Sequence, residues 1–156
     1  MPTTFGCMMR CADSTRHRHR MTTFTEKFLD GLLEEAGRNP RLRQGYDLRT
    51  SAADGSQRML NALLPGTVVG VHRHRLSAET VVCLRGRLDE VILEERGGVL
   101  VEAERIALCP REGRYGCQVA RGAWHTVEVV EPSVILETKD RPYGADGSEA
   151  YGGDNR

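Results

Sequence analysis

A chain of 156 residues, 39% hydrophobic and 28% charged, has the size and composition of one domain around a single core. Its 22 basic side chains balance 22 acidic ones, so bulk charge gives no support to nucleic-acid binding or to residence on a membrane surface. No stretch approaches the ~20 consecutive apolar residues that cross a bilayer. The five cysteines lack the dense spacing of a disulfide framework and read as free thiols of a reducing, cytoplasmic setting.

Residues 1–21 stand apart from the rest. Arg10, Arg16, Arg18 and Arg20 face only Asp13 there, and no apolar run offers a signal-peptide core. The segment reads as a disordered or non-native extension, either transit-like or upstream of a true start at Met21. It holds Cys7, Cys11, His17 and His19, whose spacing fits no common zinc pattern and whose neighbours supply almost no apolar core.

The domain proper is expected over residues 22–143. Phe24, Phe28, Leu29, Leu32, Leu33 and Ala36 recur at helical spacing and predict one helix over 23–37, opened by a Thr23 to Glu26 capping box and closed by Gly37 before Pro40. From Tyr46 the pattern changes to short apolar runs broken by Gly, Pro and Asp. Strands are predicted over 57–63, 67–74, 80–85, 87–94, 98–102, 105–108, 116–119, 125–130 and 134–138, a series that makes an antiparallel sandwich or barrel. Residues 144–156, rich in Gly, Asp, Ser and Asn, read as a flexible tail.

The tetrapeptide His-Arg-His-Arg occurs at 17–20 and again at 72–75. Only the second copy ends an apolar strand. Period two puts His72 and His74 on one face, with Arg73 and Arg75 on the other. A short turn brings Glu79 back beside the two rings, and His125 at the head of a later strand supplies a third imidazole. Three imidazoles and a carboxylate suit one divalent transition ion, with zinc, iron, manganese and nickel all open.

Gly66-x5-His72-x-His74-x4-Glu79-x6-Gly86 resembles in full the first motif of the cupins. The second cupin motif is met only by Gly122-x2-His125; Ala120 stands at its usual Pro and Val129 at its usual Asn. Across about residues 25–143 the chain looks similar to the WbuC-type cupin-fold metalloproteins of surface-polysaccharide gene clusters. Besides the helix, the likeness runs through Asn39 to Arg43, Gln57 to Asn61, Leu64 to Gly66, Leu84 to Arg87, Gly122 to His125 and Arg141 to Tyr143. Val71 departs from it, replacing the Pro common before the first ligand His.

The resemblance implies a mainly β jelly-roll barrel with a leading helix and one metal held by His72, His74, Glu79 and His125. It also implies a small polar ligand, a sugar or sugar nucleotide, and a homodimer. An isomerase-like enzyme, an iron or nickel dioxygenase and a non-catalytic binder or sensor all remain open. Arg41, Arg43 and Arg58 are candidates for an anionic or hydroxylated ligand at the barrel mouth, against an ordinary role as solvated or ion-paired arginines. Tyr143 can reach the same mouth, and Cys83 faces inward two strand steps beyond Glu79, although a buried cysteine is most often a small hydrophobe.

Overall fold

The computed structural model describes residues 21–153; the expectations for residues 1–20, including the first His-Arg-His-Arg and the Cys7, Cys11, His17, His19 set, lie outside the described residues. One helix, α1 (Glu26–Arg38), leads into eight strands: β1 (Arg43–Asp47), β2 (Ser56–Leu63), β3 (His72–His74), β4 (Glu79–Arg96), β5 (Val99–Leu108), β6 (Gly116–Val119), β7 (Trp124–Asp140) and β8 (Ser148–Ala150). All pairings are antiparallel. β7 joins β2, β3 and β4, while β4 also pairs with β5 and β6, so two long strands carry the curled sheet of a jelly-roll barrel.

The helix forms where expected, with its ends shifted. Thr25, two residues beyond the predicted cap, takes the N-cap position, its hydroxyl accepting from Phe28 N–H at 3.2 Å. Gly37 stays inside the helix, which ends on an extended Asn39, and the left-handed residue comes later at Leu42, φ 55°. Leu29, Leu32 and Ala36 then seal against Leu60, Ala62 and Val134 on the outer sheet face. Each fully buried leucine contributes about 1.5–3 kcal/mol of transfer free energy.

Three predicted pairs of short strands are in fact single long ones. Residues 80–85 and 87–94 fuse into β4 through Gly86, whose φ of 88° no other residue adopts readily and where a Cβ would lie 2.2 Å from the Pro132 carbonyl oxygen. The register of β4 on β7 shifts there, so the inward set passes from Glu79, Val81 and Cys83 to Leu88 and Glu90. The predictions over 98–102 and 105–108 join as β5, and those over 125–130 and 134–138 join as β7.

The expected strand over 67–74 shrinks to His72–His74. β1 was not anticipated, and neither was order in the last segment. A flexible tail is expected from residue 144, but within the described residues, which end at 153, Asp146 is fully buried and β8 pairs with β3 through His72↔Ala150, Arg73↔Glu149 and His74↔Ser148. The stretch lacks apolar periodicity because backbone pairing and one buried carboxylate hold it, with little side-chain hydrophobicity.

Candidate metal centre

The interior is apolar at one end, where Leu63, Val81, Cys83, Leu88, Leu108 and Ile135 cluster. Toward the other end it opens into a cavity of about 210 Å3. His72 and His125 face each other as direct partners of β3 and β7, and His74 projects from the same face of β3. Their ring centroids lie 4.2 Å (His72 to His125), 5.1 Å (His72 to His74) and 5.3 Å (His74 to His125) apart. One ligand nitrogen from each falls within 4.8 Å of the other two, a cluster that can bind a metal ion.

Glu79, at the head of β4, brings Oε2 to 3.1 Å from His74 Nε2 and Oε1 to 3.7 Å from His125 Nε2. The remaining ring nitrogens point outward. His72 Nδ1 is 2.9 Å from the Gly70 carbonyl and His125 Nδ1 is 3.0 Å from that of Ala123. A carbonyl only accepts, so both rings donate from Nδ1–H and keep the Nε2 lone pair for the interior.

The donor set fits a divalent transition ion. It combines three imidazoles with one carboxylate, and two of its atoms, His125 Nε2 and Glu79 Oε2, are buried with no hydrogen-bond partner. Burial, reinforced by the neighbouring His125 charge, pushes His72 down to about 4. Burial alone would raise Glu79, but the adjoining His125 and His74 rings and the Lys139 charge hold it well below the usual carboxyl range. His72 and Glu79 are thus held deprotonated near neutral pH, the state in which they can take a cation.

The other expected residues separate. Arg43 and Tyr143 line the cavity, and Arg41 joins them around a wider outer depression that also reaches His72. Among the described residues no carboxylate lies within ion-pair distance of Arg41 or Arg43, whereas Arg58 is paired with Asp54 at 2.5 Å and lines a different surface depression. Cys83 faces inward, 2% exposed, but sits in the apolar end; burial raises its thiol to about 11. Trp124 packs outside, under the Arg73 guanidinium at 4.2 Å and edge-on to Tyr151.

Several cavity residues were not anticipated: Gln57, Asn61, Glu90, Glu137 and Lys139. Their signal was present as polar residues on the inward period of otherwise apolar strands, Ile135-x-Glu137-x-Lys139 being the plainest. Burial, then the charges of Glu79 and Glu137, pushes Glu90 up to about 9, and both of its oxygens lack partners. Burial and the neighbouring Glu79 likewise push Glu137 up to about 8. Lys139 Nζ stands 3.5 Å from Glu79 Oε2 and 2.7 Å from Asp146 Oδ2.

A family model described as a domain of unknown function, DUF6016, matches residues 24–105. No curated protein sequence matches the chain. Among solved structures, an oxalate oxidase in complex with the substrate analogue glycolate superposes with a TM-score of 0.53 at 16% identity, over 72% of this chain and 57% of that one. The oxalate decarboxylase formate complex from Lactobacillus farciminis gives 0.52 at 14% identity, over 70% and 31%. The capsular polysaccharide assembling protein CapF from Staphylococcus aureus gives 0.56 at 14% identity, over 72% and 32%. The chain thus spans between about a third and somewhat over half of these proteins. Such identities show a shared fold alone, the cupin jelly roll.

Proposed function

The chain belongs to the DUF6016 family, and on that premise we propose that it is a mononuclear metal-binding cupin that takes a small polar ligand at the metal. His72, His74, His125 and Glu79 would hold the ion. The observation that carries this reading is the convergence of three imidazoles and one carboxylate on the floor of a cavity, with His125 Nε2 and Glu79 Oε2 left without partners. When bound, such an ion supplies Lewis-acid polarisation of a carbonyl or hydroxyl oxygen. Arg43 and Tyr143 at the mouth, with Arg41 beyond, would meet the ligand's anionic or hydroxyl groups.

The reading favours a sugar or sugar nucleotide. Gln57, Asn61 and the buried acids Glu90 and Glu137, which burial keeps protonated near neutral pH, offer both donors and acceptors, as a polyol requires. The fold is shared with the polysaccharide-assembling protein above, and the wider chain, about residues 25–143, resembles the cupin-fold metalloproteins of surface-polysaccharide gene clusters. Elemental analysis of the purified full chain and of His72→Ala tests the metal, with about one equivalent expected in the first and loss in the second. Zinc without oxygen consumption favours an isomerase-like activity, and iron with oxygen uptake a dioxygenase. Thermal stabilisation by sugar nucleotides without turnover favours a binder.

A further inference from the structure

The last described segment reaches the metal centre from behind. Gly147 O accepts from Arg75 N at 3.1 Å and Asp146 O from Leu76 N at 3.0 Å, which fastens the chain along β3. Glu149 ties it further, to Arg73 at 2.9 Å and Arg75 at 2.5 Å, the two arginines that alternate with the histidines. These contacts place Ser148 Oγ 3.0 Å from His74 Nδ1 and 2.6 Å from Asp146 Oδ1. Asp146 Oδ2 is also 3.0 Å from His74 Nδ1, off the hydrogen-bonding direction, and it pairs with Lys139 at 2.7 Å.

The direction of this chain of bonds is fixed by its end. A carboxylate paired with Lys139 can only accept, so the single Ser148 hydroxyl proton goes to Asp146 Oδ1. The serine oxygen then presents a lone pair to His74 Nδ1, while on the other side of the ring Nε2 faces Glu79 Oε2 at 3.1 Å and Lys139 Nζ lies 3.4 Å from both nitrogens. With a metal ion on the Nε2 lone pair, Nδ1 would carry the proton. His72 and His125 reach the same state through backbone carbonyls. His74 alone, among the three, obtains it from side chains of a distant segment. We propose that Ser148 and Asp146 are a positioning pair that locks His74 in its Nδ1–H tautomer, making residues 146–148 a functional part of the metal centre. This inference rests on the metal reading above.

A purely structural role, in which Asp146 neutralises Lys139 and anchors the segment, makes different predictions. The test uses the full chain, with ring-nitrogen NMR on the Zn2+-loaded protein and Zn2+ affinity by chelator competition. Wild-type His74 should bind through Nε2 with its proton on Nδ1, and Ser148→Ala and Asp146→Asn should shift the Nδ1–H resonance and weaken Zn2+ binding about 10–100-fold. In a His74→Gln background the additional loss from Asp146→Asn should shrink to within about twofold. Should Asp146→Asn fold poorly, Ser148→Ala, which removes one hydroxyl, carries the test.

Three results overturn the proposal: a proton on His74 Nε2 in the wild type, affinities of both variants within about twofold of wild type, or an undiminished Asp146→Asn loss in the His74→Gln background. Wild-type protein that takes up none of Zn2+, Mn2+, Fe2+ or Ni2+ overturns the metal reading and this inference together. Normal uptake with unaffected variants overturns only the inference.

Discussion

Strand β2 has two faces, and they are built to opposite rules. Leu60 and Ala62, both fully buried, meet Leu29, Leu32 and Ala36 of the helix in a seal of apolar atoms. Gln57 and Asn61, on the alternate period, turn into a cavity shared with three histidines, Glu79, Glu90, Glu137 and Lys139. The first face follows the ordinary stability rule that apolar surface leaves water. The second collects ionisable groups whose burial costs free energy unless a counter-charge or a ligand offsets it. The contrast supports the proposed site: one side of the strand holds the fold together, and the other gathers charged and polar groups around the cavity.

Substitutions on the two sides should therefore have separable effects. The largest is expected at the ligands: His125→Ala should abolish metal uptake measured by elemental analysis, while a chain beginning at Met21 keeps it. Next comes the helix seal. Leu32→Ala should cost about 2–5 kcal/mol in denaturant unfolding and leave the metal stoichiometry of the folded protein unchanged. An uptake defect in that variant at a temperature where it is folded would break the separation.

Glu90 should behave in the opposite sense to a seal residue. Its carboxyl, at about 9 in the folded chain, holds a proton that the unfolded chain releases near pH 4.5. The folded state therefore binds more protons between these values, and stability falls as pH rises through that window. Glu90→Gln should remove the decline, so the metal-free variant overtakes wild type in thermal unfolding as pH approaches 9. Parallel stability curves for the two proteins would contradict this. The smallest effect tests the helix entrance: Thr25→Ala should cost about 0.5–2 kcal/mol and Thr23→Ala almost nothing.

Local period carried far in the sequence. The alternation in His72-Arg73-His74 correctly assigns the histidines to one face and the arginines, which bind Glu149, to the other. The step of three and four over Phe28 to Ala36 identifies the helix stripe that meets the sheet. What escaped were features decided by partners distant in the chain. Thr23 and Thr25 are both competent caps, and tertiary docking of the helix decides between them. The direct pairing of His72 with His125 is a matter of long-range register. Ser148 and Asp146 belong to a stretch with no apolar period at all, held by β3 and by a buried ion pair that local patterns do not reveal.

Gly86 gives the barrel something like a reading frame. Upstream of it odd-numbered residues point inward, and downstream even-numbered ones do, because the bend absorbs one residue. Losing or gaining a single residue here would act as a frameshift in space. Arg87 and Asp89, now paired with Glu112 and Arg105 on the outside, would be turned toward the apolar end and the cavity, and Leu88 and Glu90 would be turned out to water. An insertion or deletion at this bend would keep the cavity's lining only if it changed the count by whole pairs of residues, so the chemistry of the cavity depends on the geometry of one glycine.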